Sequence, residues 1–546
     1  MVVSPLPVVP PVHRDTSRHV IAMKTKKTTY VSPGDDENMH REYERGLKAA
    51  VRELGKSHPL HIGDEEILAE PEFEVRAPFD TSVLIGKFQT ASPALIRSAI
   101  ATAKRAFPAW KETGWKQRVK ILRKAATLLE REKYTLAALI TYEAGKTRAE
   151  AVAEVSEAID MIRYHAAVYV RNRGYVAPME SEPPETVCRS VMRPYGTWTV
   201  ISPFNFPLSL ATGMASGALL CGNTVVLKPT SEAPFSCLKL YEALVAAGVP
   251  SGALHYLTGP GGAFGEVITA HPDVDGIAFT GSRDAGIWLQ RSFSERQPYP
   301  KPVIAEMGSK NPVIVTANAD LDKAAEGVMR SAFGYSGQKC SAASRVYVHQ
   351  AVFESFVRLL AIKTAALVTG DPRGRETYMG PVIDHAAKAR FREIVARVLR
   401  DGGEIVTGGS EPAGSEFSHG YFVEPTIVTG LPRGHPLLKR ELFVPLLIIE
   451  PCASLEEALS EANNTDFGLT AGIFSEDPQE VDYFFDVIQS GVAYANRRGG
   501  ATTGAWPGMQ PFGGWKASGS TGKGVGGPWY LLSYMREQAQ TRISGP

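Results

Sequence analysis

The sequence predicts an α/β protein in which one domain is built on a doubly wound parallel sheet and a second α/β domain follows it. Short apolar strands such as TWTVIS, NTVVLKP and GIAFTGS alternate with helical stretches between residues 196 and 305, and this alternation is typical of a parallel sheet with helices on both faces. The same alternation resumes after Cys340. The 546 residues also exceed the size at which one hydrophobic core stops growing, so we expect more than one domain.

Helices and exposed strands flank these alternating regions. Apolar residues recur every three or four positions in residues 40–54 and in PALIRSAIATAKRAFPAW, QRVKILRKAATLLEREK and AEAVAEVSEAIDMIRYHAAVYV, which predicts helices. ETVCRSVMRPY alternates and predicts a half-exposed strand, and GGPWYLLSYMREQAQTRI predicts a short helix and an extended arm. We expect residues 1–35 to form a tail by composition, and Met23 could serve as well as Met1 as the start.

Composition and charge exclude several classes of function. The formal net charge of +1 gives no electrostatic basis for binding nucleic acid or an anionic membrane. No apolar run approaches the ~20 residues that span a bilayer. Five scattered cysteines without a CxxC pair predict neither a disulfide framework nor a zinc site. We therefore expect a cytoplasmic protein without a metal, nucleic-acid or membrane partner.

Polar residues follow directly on two predicted strands, where ligands bind in doubly wound sheets. Lys228 ends a strand in VVLKPTSEAP, where its ammonium could bind ribose or phosphate, or extend into water. Gly281 and Ser282 precede a helix in GIAFTGSRDAG, and the free N–H groups of a helix start favour an anion. No GxGxxG motif stands at the turn of these strand–helix units, so a dinucleotide would be bound in another way.

Three side chains have the chemistry of covalent catalysis. Cys340 lies among small and polar residues in FGYSGQKCSAASR, as either a buried packing residue or a nucleophile. Asn205 lies between two phenylalanines in ISPFNFPLSL, as either an oxyanion-hole amide or a turn asparagine. Glu306 lies between two apolar runs, where burial would raise its pKa towards that of a general base. Glu441 and Phe443 precede another buried strand.

Seven motifs, in their order and spacing, resemble the aldehyde dehydrogenase superfamily: SPFNFP, KPTSEAP, FTGS, EMGSKNP, GQKCSAASR, ELFVP and QPFGGWKASG. The resemblance extends from about residue 60 to 540. It implies a Rossmann-like dinucleotide-binding domain of residues 36–180 and 196–305, and a catalytic domain of residues 306–527. A small β oligomerisation extension would comprise residues 181–195 and 528–546.

Within the superfamily, the chain most resembles the dehydrogenases that oxidise L-glutamate γ-semialdehyde. The nucleophile position is followed by serine, Ser341, and NRRGGATTGAWPGMQPFGG resembles the loop that holds the amino-acid end of that substrate. The segment GGPWYLLSYM resembles the tail of the same group. Two alternatives remain: a dehydrogenase for another small or aliphatic aldehyde, with water or coenzyme A as acceptor, and a non-catalytic oligomeric or thiol-sensing protein.

The resemblance implies roles for individual residues. Cys340 would attack the aldehyde, Asn205 and the Cys340 N–H would hold the oxyanion, and Glu306 would activate water. The cofactor, NAD or NADP, would contact Ile201, Ser202, Pro203, Phe204, Lys228, Thr230, Ser231, Gly281, Ser282, Glu441 and Phe443. The substrate would contact Glu143, Phe206, Ser341, Gly504, Ala505 and Phe512. We also expect a homo-oligomer.

Three positions depart from the usual pattern. Ser231 stands three residues after Lys228, where NAD-preferring relatives often carry a glutamate, and Glu232 follows it, so the choice between NAD and NADP stays open. Ser309 and Val444 replace glycines of the motifs. A left-handed backbone at either position would be strained, most of all at a β-branched valine.

Overall fold

The computed structural model describes residues 36–181, 186–500 and 506–543, and the predicted tail of residues 1–35 lies outside them. The described helices are α1 (Glu37–Ala50), α2 (Pro93–Glu112), α3 (Trp115–Arg131), α4 (Lys133–Ala144), α5 (Arg148–Arg171), α6 (Ser209–Leu220), α7 (Phe235–Ala247), α8 (Gly261–Ala270), α9 (Arg283–Arg296), α10 (Leu321–Phe333), α11 (Phe353–Ala365), α12 (His385–Arg400), α13 (Leu455–Asn463) and α14 (Pro478–Val487). Within these described ranges, no helix is both long enough and apolar enough to cross a membrane.

The described strands are β1 (Lys56–His58), β2 (Leu60–Ile62), β3 (Glu65–Ile67), β4 (Glu72–Ala77), β5 (Asp80–Gln89), β6 (Val176–Pro178), β7 (Thr186–Pro194), β8 (Thr197–Ser202), β9 (Thr224–Pro229), β10 (Leu254–Tyr256), β11 (Gly276–Thr280), β12 (Val303–Glu306), β13 (Asn311–Val315), β14 (Ala343–His349), β15 (Glu404–Thr407), β16 (Thr426–Thr429), β17 (Leu446–Cys452), β18 (Phe467–Gly468), β19 (Thr470–Phe474), β20 (Val492–Ala495), β21 (Trp515–Lys516) and β22 (Met535–Ile543).

The first large sheet has the strand order β12-β11-β8-β9-β10-β2-β3. Strands β12 to β10 are parallel, whereas β2 and β3 are antiparallel additions at one edge. Apolar residues of α2, α8 and α9 pack on one face, and those of α3, α5, α6 and α7 pack on the other. The predicted doubly wound sheet is confirmed.

The second large sheet has the order β15-β16-β17-β14-β13-β19-β20, and only the β15–β16 pair is antiparallel. Helices α10 and α11 cover one face, and α12, α13 and α14 contribute to the cores on the other. This is the second α/β unit that the sequence predicts after Cys340. The short segment between β12 and β13 connects the two sheets, so the carboxyl end of one lies near the amino end of the other.

A small antiparallel sheet has the order β22-β7-β6. All nine residues of β22 pair with those of β7, and a 3₁₀ helix, Tyr530–Tyr534, precedes the arm. The predicted exposed strand and C-terminal arm thus pair with each other within one chain. The functional names of the domains and their boundaries stay predictions.

Candidate active site

A cavity of about 1130 Å³ opens at the carboxyl end of the first sheet, between that sheet and residues of the second α/β unit. Parallel strands of a doubly wound sheet present their ligand-binding residues at this end. Ten of the predicted cofactor residues line the cavity: Ile201, Ser202, Pro203, Phe204, Lys228, Thr230, Gly281, Ser282, Glu441 and Phe443. Asn205 and Cys340 also line it.

A second cavity, of about 30 Å³, adjoins the first and is almost wholly apolar. Glu306, Phe512 and Tyr530 line it, and Cys340 lines both cavities. The thiol therefore lies where a large cleft meets a small apolar pocket. Such a position would expose one sulfur atom to groups bound on either side.

The backbone that carries Cys340 is held in an unusual conformation. Residues Tyr335 and Ser336 have positive φ angles of 49° and 54°, a strained state that persists only where the surroundings fix it. The Tyr335 hydroxyl donates a hydrogen bond to the last carbonyl of α4 at 2.7 Å, and the Ser336 hydroxyl donates to Gly380 O at 2.7 Å. These side-chain hydrogen bonds fix the backbone that leads to Cys340.

Asn311 fixes the other side of the Cys340 loop. Its side-chain amide donates hydrogen bonds to Cys340 O at 2.7 Å and to Ala342 O at 2.9 Å, and its Oδ1 accepts one from Thr470 N at 3.0 Å. Sequence reasoning missed this residue. The available signal was an asparagine at the start of a buried strand in EMGSKNP, where an amide needs partners.

The Cys340 thiol is protonated at neutral pH in the free protein. Burial raises its pKa to about 12, and the negative charges of Glu441, Glu306 and Glu157 add to that effect. Glu157 lies on α5 with only 1% of its surface exposed, and the sequence analysis did not single it out. At neutral pH the free protein therefore carries a thiol, and attack on a carbonyl requires a proton acceptor.

Glu306 has the properties of such an acceptor. Burial raises its pKa to about 8, against the opposing effect of a hydrogen bond that Gly514 N donates to its Oε2 at 2.9 Å. Gly514 belongs to the QPFGGWKASG motif but was not assigned a role from the sequence. A carboxylate with a pKa near the working pH suits general-base catalysis.

Glu441 is held beside the cleft by the backbone of EMGSKNP. Its Oε1 accepts a hydrogen bond from Ser309 N at 2.7 Å, and a β-carbon at Gly308 would lie 2.5 Å from its Oε2. Burial raises the Glu441 pKa to about 7. The first glycine of the motif is therefore needed for the approach of this carboxylate.

The replaced glycines do not impose the strain considered above. Neither Ser309 nor Val444 has a positive φ angle; the left-handed residue is Phe443, with φ of 57°. The Phe443 ring packs edge-on against Phe204, with 5.9 Å between centroids. Val444 is buried in an apolar core, which accounts for a valine at that position.

Phe206 is supported by a buried ion pair that the sequence did not reveal. Lys146 Nζ lies 3.5 Å from the centre of the Phe206 ring and 2.5 Å from Glu154 Oε2. Glu154 Oε1 accepts a hydrogen bond from Leu208 N at 2.9 Å at the start of α6. This network orders the turn that also carries Asn205. Phe206 itself lines neither cavity.

The structure does not bring Glu143 to the site, which corrects the expectation that it contacts substrate. Its side chain is fully buried and accepts hydrogen bonds from Phe235 N, from Ser236 N at 2.9 Å and from the Ser236 hydroxyl. Helix α7 has no side-chain cap at its own N-cap residue, so Glu143 supplies the missing acceptors. It lines neither cavity.

Four other predicted residues either line neither cavity or lie outside the described residues. Ser231 is turned away from the cleft and does not line it. Ser341 is 1% exposed and lines neither cavity, although it adjoins Cys340. Gly504 and Ala505 lie outside the described residues.

Comparison with known proteins agrees with this geometry. A model of the aldehyde dehydrogenase family matches residues 67–539, and the chain belongs to that family. It is 37% identical over 504 residues to the 1-pyrroline-5-carboxylate dehydrogenase of Anoxybacillus flavithermus, covering 92% of this chain and 95% of the relative. The predicted superfamily resemblance is confirmed.

Solved structures of aldehyde dehydrogenases are similar to this chain in fold. A 1-pyrroline-5-carboxylate dehydrogenase from Thermus with bound NAD matches with a TM-score of 0.89 at 33% identity, covering 94% of this chain and 98% of that one. Betaine aldehyde dehydrogenase from Staphylococcus aureus in complex with NAD+ matches with a TM-score of 0.85 at 25% identity, covering 91% and 96%. The predicted fold class is confirmed.

Proposed function

We propose that the protein oxidises L-glutamate γ-semialdehyde, the open form of 1-pyrroline-5-carboxylate, to L-glutamate in proline catabolism, with NAD as oxidant. The observation that carries this proposal is the position of Cys340 between a cleft with a nucleotide-binding architecture and a small pocket that contains Glu306. The relatives named 1-pyrroline-5-carboxylate dehydrogenase support the choice of substrate.

The residues present fit a dinucleotide. The cleft of about 1130 Å³ is large enough for one. Lys228 would bind the adenosine ribose, the start of α9 at Ser282 would bind the pyrophosphate, and Glu441 would bind the nicotinamide ribose. Gly281 allows close packing at this turn, because a β-carbon there would lie 2.5 Å from the Phe279 ring. Phe443 would pack near the nicotinamide.

Attack on the aldehyde begins with removal of the Cys340 proton. The Glu306 carboxylate takes it, directly or through water, as sulfur bonds to the carbonyl carbon and the carbonyl electron pair moves to oxygen. The Asn205 side-chain amide and the Cys340 N–H donate hydrogen bonds to that oxyanion. A nicotinamide held by these residues would supply the oxidant by accepting a hydride, that is, a proton and two electrons, from the carbon bonded to Cys340 sulfur, and the oxyanion pair would then re-form the carbonyl of a thioester.

Release of product uses the same carboxylate a second time. Glu306, having passed its first proton to solvent, removes a proton from a water molecule that attacks the thioester carbon. The carbon–sulfur bond then breaks, and the Cys340 sulfur takes up a proton. Water is thus the acyl acceptor, which makes the product a free carboxylate and distinguishes this chemistry from transfer to coenzyme A.

We assign the amino-acid end of the substrate to Ser341, Gly504 and Ala505, and its aliphatic chain to Phe206 and Phe512. The position of Phe512 in the small pocket supports this assignment. The chain would act as a homo-oligomer, supported by exposed apolar side chains such as Val187 and Ile543 on the small sheet. Its unpaired cysteines favour a cytoplasmic location.

The test is to follow NADH and NADPH formation with glutamate γ-semialdehyde beside propanal, with and without coenzyme A. We expect strong preference for the semialdehyde, no requirement for coenzyme A, and no activity in Cys340→Ala. Equal turnover of the two aldehydes would keep the family chemistry and remove the assigned substrate. Dehydrogenase activity in Cys340→Ala would refute the nucleophile, and dinucleotide-insensitive labelling of Cys340 without turnover would favour a thiol-sensing role.

A further inference from the structure

We propose that Lys146 and Glu154, a buried ion pair, are positioning residues that hold the Asn205 amide and the Cys340 N–H in the mutual placement that one oxyanion requires. The inference rests on the proposed function, because it concerns the same oxyanion. The two donors lie on segments that are distant in sequence, yet both must point at a single oxygen atom. Displacement of such a group by about 1 Å can lower a rate by about 10²-fold.

Glu154 fixes the turn that carries Asn205. In the part of the chain that the structure describes, helix α6 has no side-chain cap at its own N-cap residue, Leu208. Glu154 Oε1 accepts hydrogen bonds from Leu208 N at 2.9 Å and from Ser209 N at 3.3 Å. These bonds satisfy N–H groups that a buried helix start would leave unpaired. The carboxylate therefore holds the end of the turn in place.

Lys146 joins this turn to the segment that leads to Cys340. Its Nζ lies 2.5 Å from Glu154 Oε2, 3.5 Å from the centre of the Phe206 ring and 4.8 Å from the centre of the Tyr335 ring. Phe206 belongs to the turn, and Tyr335 is the first of the left-handed residues ahead of the nucleophile. An ammonium within about 6 Å of a ring centre is attracted to the ring, most strongly where both are desolvated. One ammonium therefore contacts both segments.

The backbone beside Lys146 makes a second connection to the nucleophile segment. The Tyr335 hydroxyl donates a hydrogen bond to Ala144 O at 2.7 Å. Gly145 has a φ angle of 70°, and a β-carbon there would lie 2.8 Å from the Pro381 ring, so the backbone is closely packed at this point. The side chains of the ion pair are both 0% exposed. Little freedom is left for the ammonium to move.

Helix α5 supplies the carboxylates on this side of the site. Glu150 and Glu154 are one helical turn apart on α5 and so lie on one face of the helix. Glu150 accepts a hydrogen bond at 2.6 Å from Nζ of Lys339, the residue before the nucleophile. That pair holds the nucleophile segment, whereas the pair of Lys146 and Glu154 contacts both segments. We therefore assign the distance between the two oxyanion donors to the second pair.

The experiment removes the ion pair and keeps its shape. Lys146→Met combined with Glu154→Gln removes both charges, so that no buried charge is left without a partner, and the glutamine oxygen can still accept a hydrogen bond from Leu208 N. We expect kcat for aldehyde oxidation to fall by about 10–100-fold, with KM changed by less than about threefold. Titration calorimetry should show unchanged NAD affinity, which reports that the variant is folded.

A double-mutant cycle with Asn205→Ala separates positioning from general support of the fold. In the Asn205→Ala background the same double substitution should lower kcat by less than about threefold, because the amide that the pair positions is already absent. A loss of fold integrity would lower kcat equally in both backgrounds. Equal losses would therefore overturn the inference.

Tyr335→Phe tests the same connection with a milder change. It keeps the ring and removes the hydroxyl that donates to Ala144 O, so kcat should fall about fivefold, as for one lost hydrogen bond, without a rise in KM. If the double variant does not bind NAD, the cycle with Asn205→Ala is run on Tyr335→Phe and decides the question.

The matched control is Lys323→Met combined with Glu476→Gln. It removes the same two charges from an ion pair of 2.7 Å that lines neither active-site cavity. This control should leave kcat and KM unchanged. A loss of kcat equal to that of the buried pair would show that the effect does not depend on the site, and would overturn the inference.

Each remaining outcome also decides the inference. A loss of kcat that shrinks in the Asn205→Ala background supports it. A rise in KM with kcat unchanged would assign the pair to substrate binding through Phe206 and overturn it, and so would an unchanged kcat. The assays use whichever of glutamate γ-semialdehyde and propanal the wild-type protein oxidises, so an error in the proposed substrate leaves the inference intact. Wild-type protein that oxidises neither aldehyde overturns both the inference and the proposed function.

Discussion

Two glutamates, Glu306 and Glu143, differ in what surrounds them although burial raises the pKa of both. The Glu306 pKa rises to about 8 and that of Glu143 to about 7. Glu143 accepts three hydrogen bonds at the start of α7 and touches neither cavity. Glu306 lines the small pocket beside Cys340 and accepts one hydrogen bond to its carboxylate, from Gly514, among the described residues.

The comparison teaches that a raised pKa does not by itself identify a catalytic group. A carboxylate whose acceptor positions are filled stabilises the fold, because removing it leaves buried donors without partners. A carboxylate with free acceptor capacity at a cavity can take a proton from a substrate or from water. A raised pKa is therefore compatible with both a structural and a catalytic carboxylate. The number of hydrogen bonds that the carboxylate accepts, and its contact with a cavity, distinguish the two roles.

The largest expected effect follows from removing the proposed base, Glu306. Glu306→Gln keeps the shape of the side chain but cannot accept a proton, so steady-state oxidation should fall by about 10²–10⁴-fold. The measurement is steady-state NADH formation with glutamate γ-semialdehyde, alongside the unfolding midpoint. Near-normal turnover with an unchanged midpoint would show that Glu306 is not the base.

The reverse pattern is expected for the helix cap. Glu143→Ala leaves donors at the start of α7 unpaired, and at roughly 1–3 kcal/mol for each buried unpaired group the unfolding free energy should fall by about 3 kcal/mol. Activity per folded molecule should stay near the wild-type value, because the residue touches neither cavity. Urea denaturation and active-site titration would measure the two quantities. A loss of activity without a loss of stability would return Glu143 to the substrate site.

The pH dependence of turnover should follow the ionisation of Glu306 and not that of Glu143. General-base catalysis needs the ionised form of Glu306, whose pKa burial raises to about 8. Activity should therefore rise about tenfold for each pH unit below that value and level off above it. The Glu143→Ala variant, assayed while folded, should keep this profile. A profile that is flat from pH 6 to 9 would contradict the assignment of Glu306.

Whereas activity should rise with pH, the contribution of Glu143 and Glu306 to the unfolding free energy should fall as pH rises. Both carboxyls have folded-state pKa values above their ordinary value of 4.5, so the folded protein binds more protons than the unfolded chain between about pH 4.5 and 8. These two groups therefore stabilise the fold most at low pH, and that contribution falls as pH rises through their folded values. The difference in unfolding free energy between Glu306→Gln and the wild type should be smallest at low pH, because Glu306 is then protonated in both the folded and the unfolded state. A difference that grows towards low pH would contradict the raised pKa.

The sequence predicted most of the fold and the chemical groups, for reasons that are physical. Alternating strands and helices define parallel sheets, and strand ends locate the cleft, so Lys228 and Ser282 were found from local patterns. The local pattern left two interpretations of Cys340 open, and the resemblance of the motifs to the family implied the nucleophile. The hydrogen bonds of Asn311 were missed because its partners, Cys340 and Thr470, are distant in sequence. Lys146 and Glu154 lie close in sequence, but their contacts with Phe206 and Leu208 join distant segments. Glu143 was misplaced for the same reason: its partners lie on α7, about ninety residues away.

The smallest expected effect concerns Ser309, where the motif of the family has a glycine. Ser309 does not have a positive φ angle, and its backbone N–H already holds Glu441 at 2.7 Å. Ser309→Gly should therefore leave NAD affinity within about threefold, while added backbone freedom lowers the unfolding free energy by about 0.5–1 kcal/mol. Calorimetric NAD binding and urea denaturation test both values. A large gain in affinity would mean that the serine distorts the part of the cleft that Glu441 lines, and that the position of Glu441 depends on more than the N–H of residue 309.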